Sequence, residues 1–166
     1  ASPAADGVPP LLALDAEIEL VSSTDARRIP LAEFLVGNRK TLRRADEILA
    51  AVWVPRKIQD ASSVFLKLGA RRYLVISISM VAAMLQSDGS GHVAEARIAV
   101  GSCSATAQRL RKLEANLKGR ALTGIASIAS AEHLSSLSPI DDVRATAAYR
   151  CDASLTLVRR ALKACA

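Results

Sequence analysis

The chain has 166 residues, of which 51% are apolar and 23% charged, and its formal net charge is +6 at pH 7. This composition is sufficient for a packed core and excludes a disordered chain. No apolar run approaches the ~20 residues that cross a bilayer, so we expect a soluble protein without a membrane span. The basic residues occur as scattered pairs without an interleaved aromatic platform, which argues against nucleic-acid binding.

The cysteines and histidines indicate the compartment and argue against a metal site. Cys103, Cys151 and Cys165 form no CxxC motif. An odd and sparse set of cysteines is atypical of a disulfide scaffold and fits a reducing compartment, so we expect a cytoplasmic location. Besides them the chain has only His92 and His133, and nothing has metal-ligand spacing.

The first third of the chain predicts short strands and one short helix. Residues 15–20 alternate between acidic and apolar side chains, which is the pattern of a half-buried strand. A turn follows, and residues 27–29 return as a second strand, which completes a hairpin. Residues 30–34 form a short helix that a proline begins, and the stretch "EILAAVWVP" predicts another strand.

The rest of the chain predicts an antiparallel sheet followed by helices. The polar stretch "RKIQDASS" marks a domain boundary, which we place between residues 57 and 58. "VFLKLGARR" predicts a strand, and two β-prone runs around the turn "SDGSG" predict a hairpin. From Thr106 onward the apolar period is helical, with helices around 110–117, over 122–134 and over 148–165. We therefore expect an α+β fold, with a three-stranded antiparallel sheet covered by about three helices.

The apolar stripe of the last predicted helix defines the side that we expect to be buried. Its members recur at spacings of three and four residues: Ala148, Cys151, Leu155, Val158, Leu162 and Cys165. Both cysteines of this stripe are therefore expected to be core residues.

Taken by themselves, the polar residues define no reaction. The chain contains no evident nucleophile–base pair and no Gly-rich phosphate loop. Asp141 and Asp142 precede the last helix, where capping is the expected role. Asp6 is a candidate cap of the helix around 9–14. Lys67, within an apolar strand, is either a solvent-facing residue or a cation that reaches an anionic ligand at the edge of the sheet.

Four stretches carry a resemblance to a known family. In chain order they are "ASPAADGVPPLLALDAEIELVS", "IPLAEFLVGNRKTLRRADEILAAVWVP", "FLKLGARR", and "SPIDDVRATAAYR" with the "LVRRAL" that follows it. They resemble the FAD-binding (medium) subunit of the molybdenum hydroxylases, the family of the xanthine dehydrogenase and aerobic carbon monoxide dehydrogenase flavoproteins. Each motif alone is weak, but the same order over nearly all of the chain makes the resemblance specific.

The resemblance implies two domains and an electron-transfer function. Residues 1–57 would be the C-terminal part of an FAD-binding domain, and residues 58–166 the family's C-terminal flavoprotein domain. In this family electrons pass from a molybdopterin large subunit through an iron–sulphur small subunit to FAD, and then to NAD or another acceptor. The flavin does the redox chemistry, while the protein binds, orients and tunes it.

The resemblance also assigns five cofactor-binding residues and no catalytic residue. Asp6, from the A-S-P-x-x-D segment, would hydrogen-bond FAD hydroxyls, with Ser2 nearby as a donor. Ile48 and Leu49 would pack on the cofactor. Lys67, from the F-x-K motif, would approach the flavin ring, where a cation stabilises negative charge on the reduced form.

The sequence departs from the family pattern in one large respect. The family's FAD domain contains a Gly-rich loop that cradles the pyrophosphate, and a Gly-Asn segment immediately before A-S-P, and this chain has neither. We therefore expect the C-terminal portion of a flavoprotein, with an FAD site that is incomplete without the missing N-terminal half and with no activity alone. The loop in "SCSATAQRL" lacks the family's usual prolines and is expected to differ. The alternative is a cofactor-free module for subunit docking.

Overall fold

A computed structural model describes residues 1–56 and 60–166, and the predicted α+β fold is confirmed. The boundary predicted between residues 57 and 58 lies outside the described residues. The elements in chain order are α1 (Val8–Ala13), β1 (Glu17–Val21), β2 (Ala26–Pro30), α2 (Leu31–Phe34), β3 (Leu35–Gly37), β4 (Lys40–Thr41), β5 (Ile48–Trp53), β6 (Ser62–Leu68), β7 (Ser79–Ser87), β8 (Val93–Gly101), β9 (Gln108–Arg109), α3 (Arg111–Leu117), two 3-10 helices (Ile125–Ile128 and Ala131–Leu134) and α4 (Ala147–Cys165).

The first sheet contains the predicted hairpin. Its strand order is β2-β1-β5, with antiparallel pairing on both sides of β1. The alternation in β1 buries Ile18 and Leu20, which pack with Ala99 of β8 in one apolar cluster. The first sheet therefore shares a core with the second half of the chain.

The second sheet is antiparallel with the strand order β6-β7-β8-β9. The sequence predicts three of these strands, and the fourth, β9, has two residues and pairs with β8. A two-residue strand is too short to show an alternating pattern, because alternation becomes recognisable only over about 4–8 residues.

The two faces of this sheet pack against different parts of the chain. Val81 of β7 and Ile98 of β8 face the large core under α3 and α4. The opposite face lies against α1. There, a Cβ at Gly101 would lie 2.9 Å from Pro9 Cγ and 2.5 Å from Met80 Cε, so the close approach of α1 to β8 requires glycine.

The helical region differs from the prediction in two respects. The single stretch predicted over 122–134 is two 3-10 helices, because Ala129 is extended and Ser130 begins a new turn held by His133 Nδ1. In α4 the buried side includes Ala153 and Ser154, while Cys151 is only half-buried, so the expectation that Cys151 is a core residue is wrong. The residues of the predicted stripe that are buried are Val158, Leu162 and Cys165. The rest of the buried face consists of Arg150, Leu157 and the small residues Ala153, Ser154 and Ala161.

None of the helices in residues 1–56 and 60–166 combines the length and apolar character needed to cross a membrane.

A cluster of ion pairs joins the start of the chain to the second sheet. Asp15 Oδ1 accepts a hydrogen bond from Arg109 Nη1 at 3.0 Å, and Asp15 Oδ2 forms an ion pair with Arg97 Nη1, also at 3.0 Å. Both arginine side chains are 7% exposed, and each also binds a second carboxylate, Glu95 for Arg97 and Glu114 for Arg109. These directional contacts fix the turn between α1 and β1 against strands β8 and β9.

We expect Asp15→Ala to lower the free energy of unfolding by about 1–3 kcal/mol. This is less than the ~3–5 kcal/mol for breaking a fully buried pair, because the two arginines keep their other carboxylates. Urea unfolding followed by circular dichroism measures the change. Asp152→Ala removes an exposed carboxylate on α4 and should change stability by less than about 0.5 kcal/mol. Equal effects of the two substitutions would contradict the role given to Asp15.

Another carboxylate, Glu47, is buried and holds the segment that precedes β5. It accepts two hydrogen bonds from Arg27, at 2.6 and 3.0 Å, and a third from the Arg44 backbone N–H at 2.7 Å. The hydrogen bonds from Arg27 lower the pKa of Glu47 from an ordinary 4.5 to about 2, against the opposing effect of burial. The ionised form is therefore the one that the fold stabilises.

We expect Glu47→Gln to be less stable than the unmodified chain at pH 7. Because the folded-state pKa is depressed, the carboxylate's contribution is complete above pH 4.5 and is lost as the pH falls toward about 2. The difference in free energy of unfolding between the two proteins should shrink over that range, as measured by urea unfolding at a series of pH values. A difference that does not change with pH would contradict this explanation.

Candidate functional site

The structure brings Asp6 and Lys67 into direct contact. Lys67 Nζ lies 2.5 Å from Asp6 Oδ2, and Ser77 Oγ donates to Asp6 Oδ1 at 2.7 Å. Asp6 comes from the turn before α1, Lys67 from β6, and Ser77 from the residues just before β7. Among the described residues no side chain caps α1, so the alternative role of Asp6 as a helix cap is wrong.

The alternation of β6 explains where Lys67 points. Val64, Leu66 and Leu68 pack against the large core on the helix side of the sheet. Lys67 therefore projects from the opposite face, toward the start of the chain. Its side chain is 29% exposed, so the ammonium group keeps access to solvent.

Burial and hydrogen bonding shift the pKa of Asp6 in opposite directions. Burial is the largest single influence and raises its pKa, but the hydrogen bonds from Lys67 and Ser77 and the charge of Lys67 together outweigh it. The pKa of Asp6 is therefore below its ordinary value, and the carboxylate is ionised at neutral pH.

A cleft of about 620 Å³ adjoins this pair and shares Ser77 with it. Ser2 lies in its lining, as do residues from the β3–β4 turn, from the loop after β8 and from the segment leading to α4. Its polar lining residues are Ser2, Asn38, Arg39, Ser77, Ser102, Ser104, Ser138, Asp142, Arg144 and Arg150. Ser2, Asp6 and Lys67 thus belong to one region of the surface.

Two backbone hydrogen bonds hold the first residues of the chain beside the cleft. The Arg39 N–H donates to the Ala1 carbonyl at 2.7 Å, and the Ser102 N–H donates to the Pro3 carbonyl at 2.9 Å. Arg39 and Ser102 have φ angles of 57° and 64°, in the left-handed region that is costly for residues with a Cβ.

Arg150 and Asp142 form the buried wall of the cleft. Arg150 Nη1 donates to the Ile78 carbonyl at 2.6 Å, and Nη2 donates to Asp142 Oδ1 at 2.7 Å. Hydrogen bonds from the Arg144 backbone, together with Arg150, overcome burial and lower the pKa of Asp142 to about 2. Only one of the two aspartates takes the expected capping role. Asp141 accepts a hydrogen bond from the first N–H of α4, at Ala147, whereas Asp142 binds Arg144 and Arg150.

Ile48 and Leu49 lie elsewhere in the structure. They belong to β5 of the first sheet, opposite Val21 and Leu20, and their side chains are 66% and 46% exposed. Neither residue is in the lining of the cleft. Their packing on a cofactor, like the other cofactor contacts, stays a prediction.

Ser77 is the residue that sequence reasoning missed. It is 1% exposed and binds a carboxylate 71 residues earlier in the chain. The signal available in the sequence was a polar residue inside the apolar run "LVISISMV". Buried polar side chains nearly always have a hydrogen-bond partner, so such a residue indicates a partner without identifying it.

Two protein families match the chain, each over a different part of it. Residues 64–165 match the CO dehydrogenase flavoprotein C-terminal domain, and residues 1–57 match the FAD binding domain in molybdopterin dehydrogenase. The chain belongs to the family of FAD-binding medium subunits of the molybdenum hydroxylases, flavoproteins whose cofactor is FAD. The resemblance found in the sequence is thereby confirmed.

Individual relatives agree with this assignment. The chain is 33% identical over 154 residues to the nicotine 6-hydroxylase medium subunit of Paenarthrobacter nicotinovorans, a match that covers 92% of this chain and 53% of that protein. It is 32% identical to the 6-hydroxypseudooxynicotine dehydrogenase complex subunit alpha of the same organism, covering 92% and 51%. The chain therefore spans about half the length of the curated relatives it matches.

A solved structure shows the same fold. A carbon monoxide dehydrogenase chain from Hydrogenophaga pseudoflava superposes with a TM-score of 0.87 at 25% identity, over 99% of this chain and 57% of that chain.

We expect Asp6→Ala to destabilise the protein more than Lys67→Met. Removing the carboxylate leaves the buried Ser77 hydroxyl without its acceptor, which costs about 1–3 kcal/mol. Removing the ammonium group breaks a partly exposed ion pair worth ~0–1 kcal/mol. Urea unfolding of both variants measures the difference.

Asp6→Asn is the matched control for this comparison. Its side-chain oxygen can still accept from Ser77 while the charge is gone, so it should be milder than Asp6→Ala. If Asp6→Asn and Asp6→Ala were equally destabilised, the Ser77 contact would not be the cause.

Proposed function

We propose that this chain forms one wall of the FAD site in an electron-transfer subunit of a molybdenum hydroxylase. The observation that carries the proposal is the Asp6 carboxylate, held by Lys67 and Ser77 beside a polar cleft. Membership of the family supports FAD as the cofactor. The contact between Asp6 and Lys67, which are distant in the sequence, supports a binding site beside this pair.

The side chains at this location fit the polar parts of FAD. Asp6 remains ionised, and its oxygens have capacity to accept from cofactor hydroxyls in addition to Lys67 and Ser77. Ser2 and Ser77 contribute hydroxyl groups to the adjoining cleft, and Arg39 contributes a cation. Arg150 Nε and Ser102 Oγ are buried without a hydrogen-bond partner in residues 1–56 and 60–166. Both atoms, in the wall of the cleft, can therefore still form a hydrogen bond.

The roles proposed for the residues follow from their charges. FAD, when bound, accepts and passes on electrons. Asp6 orients the cofactor by accepting hydrogen bonds, and Lys67 places a positive charge where the flavin ring becomes negative on reduction. Ser77 keeps the Asp6 carboxylate in position. Ile48 and Leu49 provide an exposed apolar surface against which the cofactor packs.

The wider proposal concerns the complex in which the chain works. We infer that electrons reach FAD from an iron–sulphur small subunit, which receives them from a molybdopterin large subunit, and then pass to NAD or another acceptor. Residues 1–57 would belong to the FAD-binding domain and 58–166 to the C-terminal flavoprotein domain. The three free cysteines support a reducing compartment, the cytoplasm.

A second candidate is a cofactor-free docking module. The observation that favours it is the exposed apolar surface on and after β5, formed by Ile48, Leu49, Val52, Trp53 and Val54. Such surfaces mark interaction sites on proteins. Flavin binding separates the two candidates.

The test is a flavin titration followed by visible absorption and fluorescence. The chain is produced alone and together with the part of the nicotine 6-hydroxylase medium subunit that it does not match. We expect flavin to bind when both parts are present, and Lys67→Met to weaken binding roughly tenfold by removing one charge-assisted contact. Lys67→Met should also lower the flavin reduction potential by roughly 20 mV, as expected for ~1 kcal/mol in a two-electron couple.

Lys112→Met is the matched control, because it removes an exposed lysine on α3. Identical flavin affinities and potentials for Lys67→Met and Lys112→Met would overturn the role given to Lys67. Absence of flavin binding, with both parts folded and associated, would leave the docking module.

A further inference from the structure

The outer edge of β5 is open. The first sheet ends at β5, and among the described residues no strand pairs with it on the side away from β1. The strand has six residues, Ile48–Trp53, and none of them is charged. An unpaired strand edge presents a row of N–H and C=O groups, and an apolar edge of this kind pairs readily with another strand. The outer edge of β5 is therefore a candidate site for strand pairing with another chain.

The opposite edge of the same sheet is protected. β2 contains Arg27 and Arg28 and ends with Pro30. Arg27 binds Glu47, and Arg28 stacks on Trp53 at 3.7 Å from the ring centroid. Charged side chains and proline are the features that prevent pairing at sheet edges. β5 has neither, so the two edges of this sheet differ in kind.

A register shift gives β5 a symmetric arrangement of side chains. The pairing with β1 shifts at Ala50, which has no partner of its own in β1. Ile48 and Trp53 pair with odd-numbered residues of β1 and therefore lie on one face of the sheet. Leu49 and Val52 pair with even-numbered residues and lie on the other face. Each face thus carries one large apolar side chain from either end of the strand.

This arrangement is self-complementary in an antiparallel pair of two β5 strands. A two-fold axis through the centre of the pair, perpendicular to the sheet, places Ile48 beside Trp53 of the second copy. It places Leu49 beside Val52 in the same way. Both pairs share a face, as residues opposite each other in an antiparallel ladder must. An interface with this symmetry uses the same residues on both sides.

The charges that flank β5 are complementary in the same arrangement. Asp46 precedes the strand and Arg56 follows it, and both are exposed. Neither side chain forms an ion pair among the described residues. Antiparallel pairing brings the start of one strand to the end of the other, so Asp46 of each copy lies near Arg56 of the other. A parallel pair would instead bring like charges together.

Trp53 is held in place before any partner binds. Its Nε1 donates to Glu19 Oε2 at 2.6 Å, and Arg28 covers one face of the ring. The side chain is nevertheless 44% exposed. A fixed aromatic side chain loses little entropy on association, and tryptophan is enriched among the residues that dominate interfaces.

We propose that the chain forms a symmetric dimer through antiparallel pairing of β5 with β5 of a second copy, which joins the two three-stranded sheets into one continuous sheet. A second copy is the occupant because the apolar pairs and the flanking charges are both matched by the strand itself. The pairing uses the backbone edge of β5 and not the cleft beside Asp6 and Lys67, so it goes beyond the proposed function and does not rest on it.

The test is sedimentation velocity of the 166-residue chain over a series of concentrations. We expect the mass to rise from that of one chain to that of two. Ile48→Lys should weaken the dimer at least roughly tenfold, because an apolar contact is lost at both symmetric positions. Val36→Lys on β3 is the matched control, since Val36 is 53% and Ile48 66% exposed and β3 belongs to a different sheet. It should leave the dimer affinity unchanged within roughly twofold.

A charge exchange tests the antiparallel arrangement. Asp46→Arg and Arg56→Asp each place like charges at both ends of the paired strands, and each should weaken the dimer roughly fivefold. The double variant restores opposite charges and should recover the original affinity within roughly twofold. Association through apolar surface alone would show no such recovery.

A mass of one chain at every concentration, with the chain shown to be folded by circular dichroism, would overturn the proposal. Equal effects of Ile48→Lys and Val36→Lys, or a double charge variant no better than the single ones, would also overturn it. A chain that is monomeric alone but forms a complex, sensitive to Ile48→Lys, with the unmatched part of the nicotine 6-hydroxylase medium subunit would assign the edge to that part instead. These measurements use no flavin, so their failure is distinct from that of the flavin titration.

Discussion

Two carboxylates near the start of the chain, Asp6 and Asp15, are each held by side chains that follow β5 in the sequence. Other contacts between the same two parts are apolar, through Ala99 and the close approach at Gly101, or are hydrogen bonds to backbone carbonyls such as that of Pro3. Apolar burial supplies most of the driving force but little direction. Ion pairs with two donors on one carboxylate specify orientation, and they therefore determine where the first residues of the chain lie on the sheet. The cleft has its shape because this orientation is fixed.

The site lies at this junction because neither half contains all of its groups. The N-terminal segment provides Ser2 and Asp6, β6 provides Lys67, and the residues just before β7 provide Ser77. Sites between structural units are common because concave surfaces form where two units meet. The arrangement also separates charges. Asp6 neutralises Lys67, whereas Arg39, in the cleft, has no carboxylate partner among the described residues.

The sequence predicted the elements whose patterns are long, and it missed those that depend on distant contacts. The β7–β8 hairpin and α4 have enough residues for their periods to be read, whereas β9 is specified by pairing with β8 instead of by its own two residues. Asp6 and Lys67 were identified through family motifs, because nothing in their local chemistry separates a ligand-binding aspartate from a helix cap. Ser77 could not have been placed, since its partner is 71 residues away. Ile48 and Leu49 remain predictions from the resemblance, and their exposure on β5 leaves them accessible to a cofactor.

The most direct test of the junction is the pKa of Asp6, measured by carboxyl NMR titration of the chain in solution. The structure requires a value below the ordinary 3.8, because Lys67 and Ser77 together outweigh the effect of burial. The pKa should rise in Lys67→Met and in Ser77→Ala, because each substitution removes a hydrogen bond to the ionised carboxylate. A pKa at or above 3.8 in the unmodified chain, unchanged by either substitution, would show that the two halves do not meet at Asp6 and would contradict the account of the site.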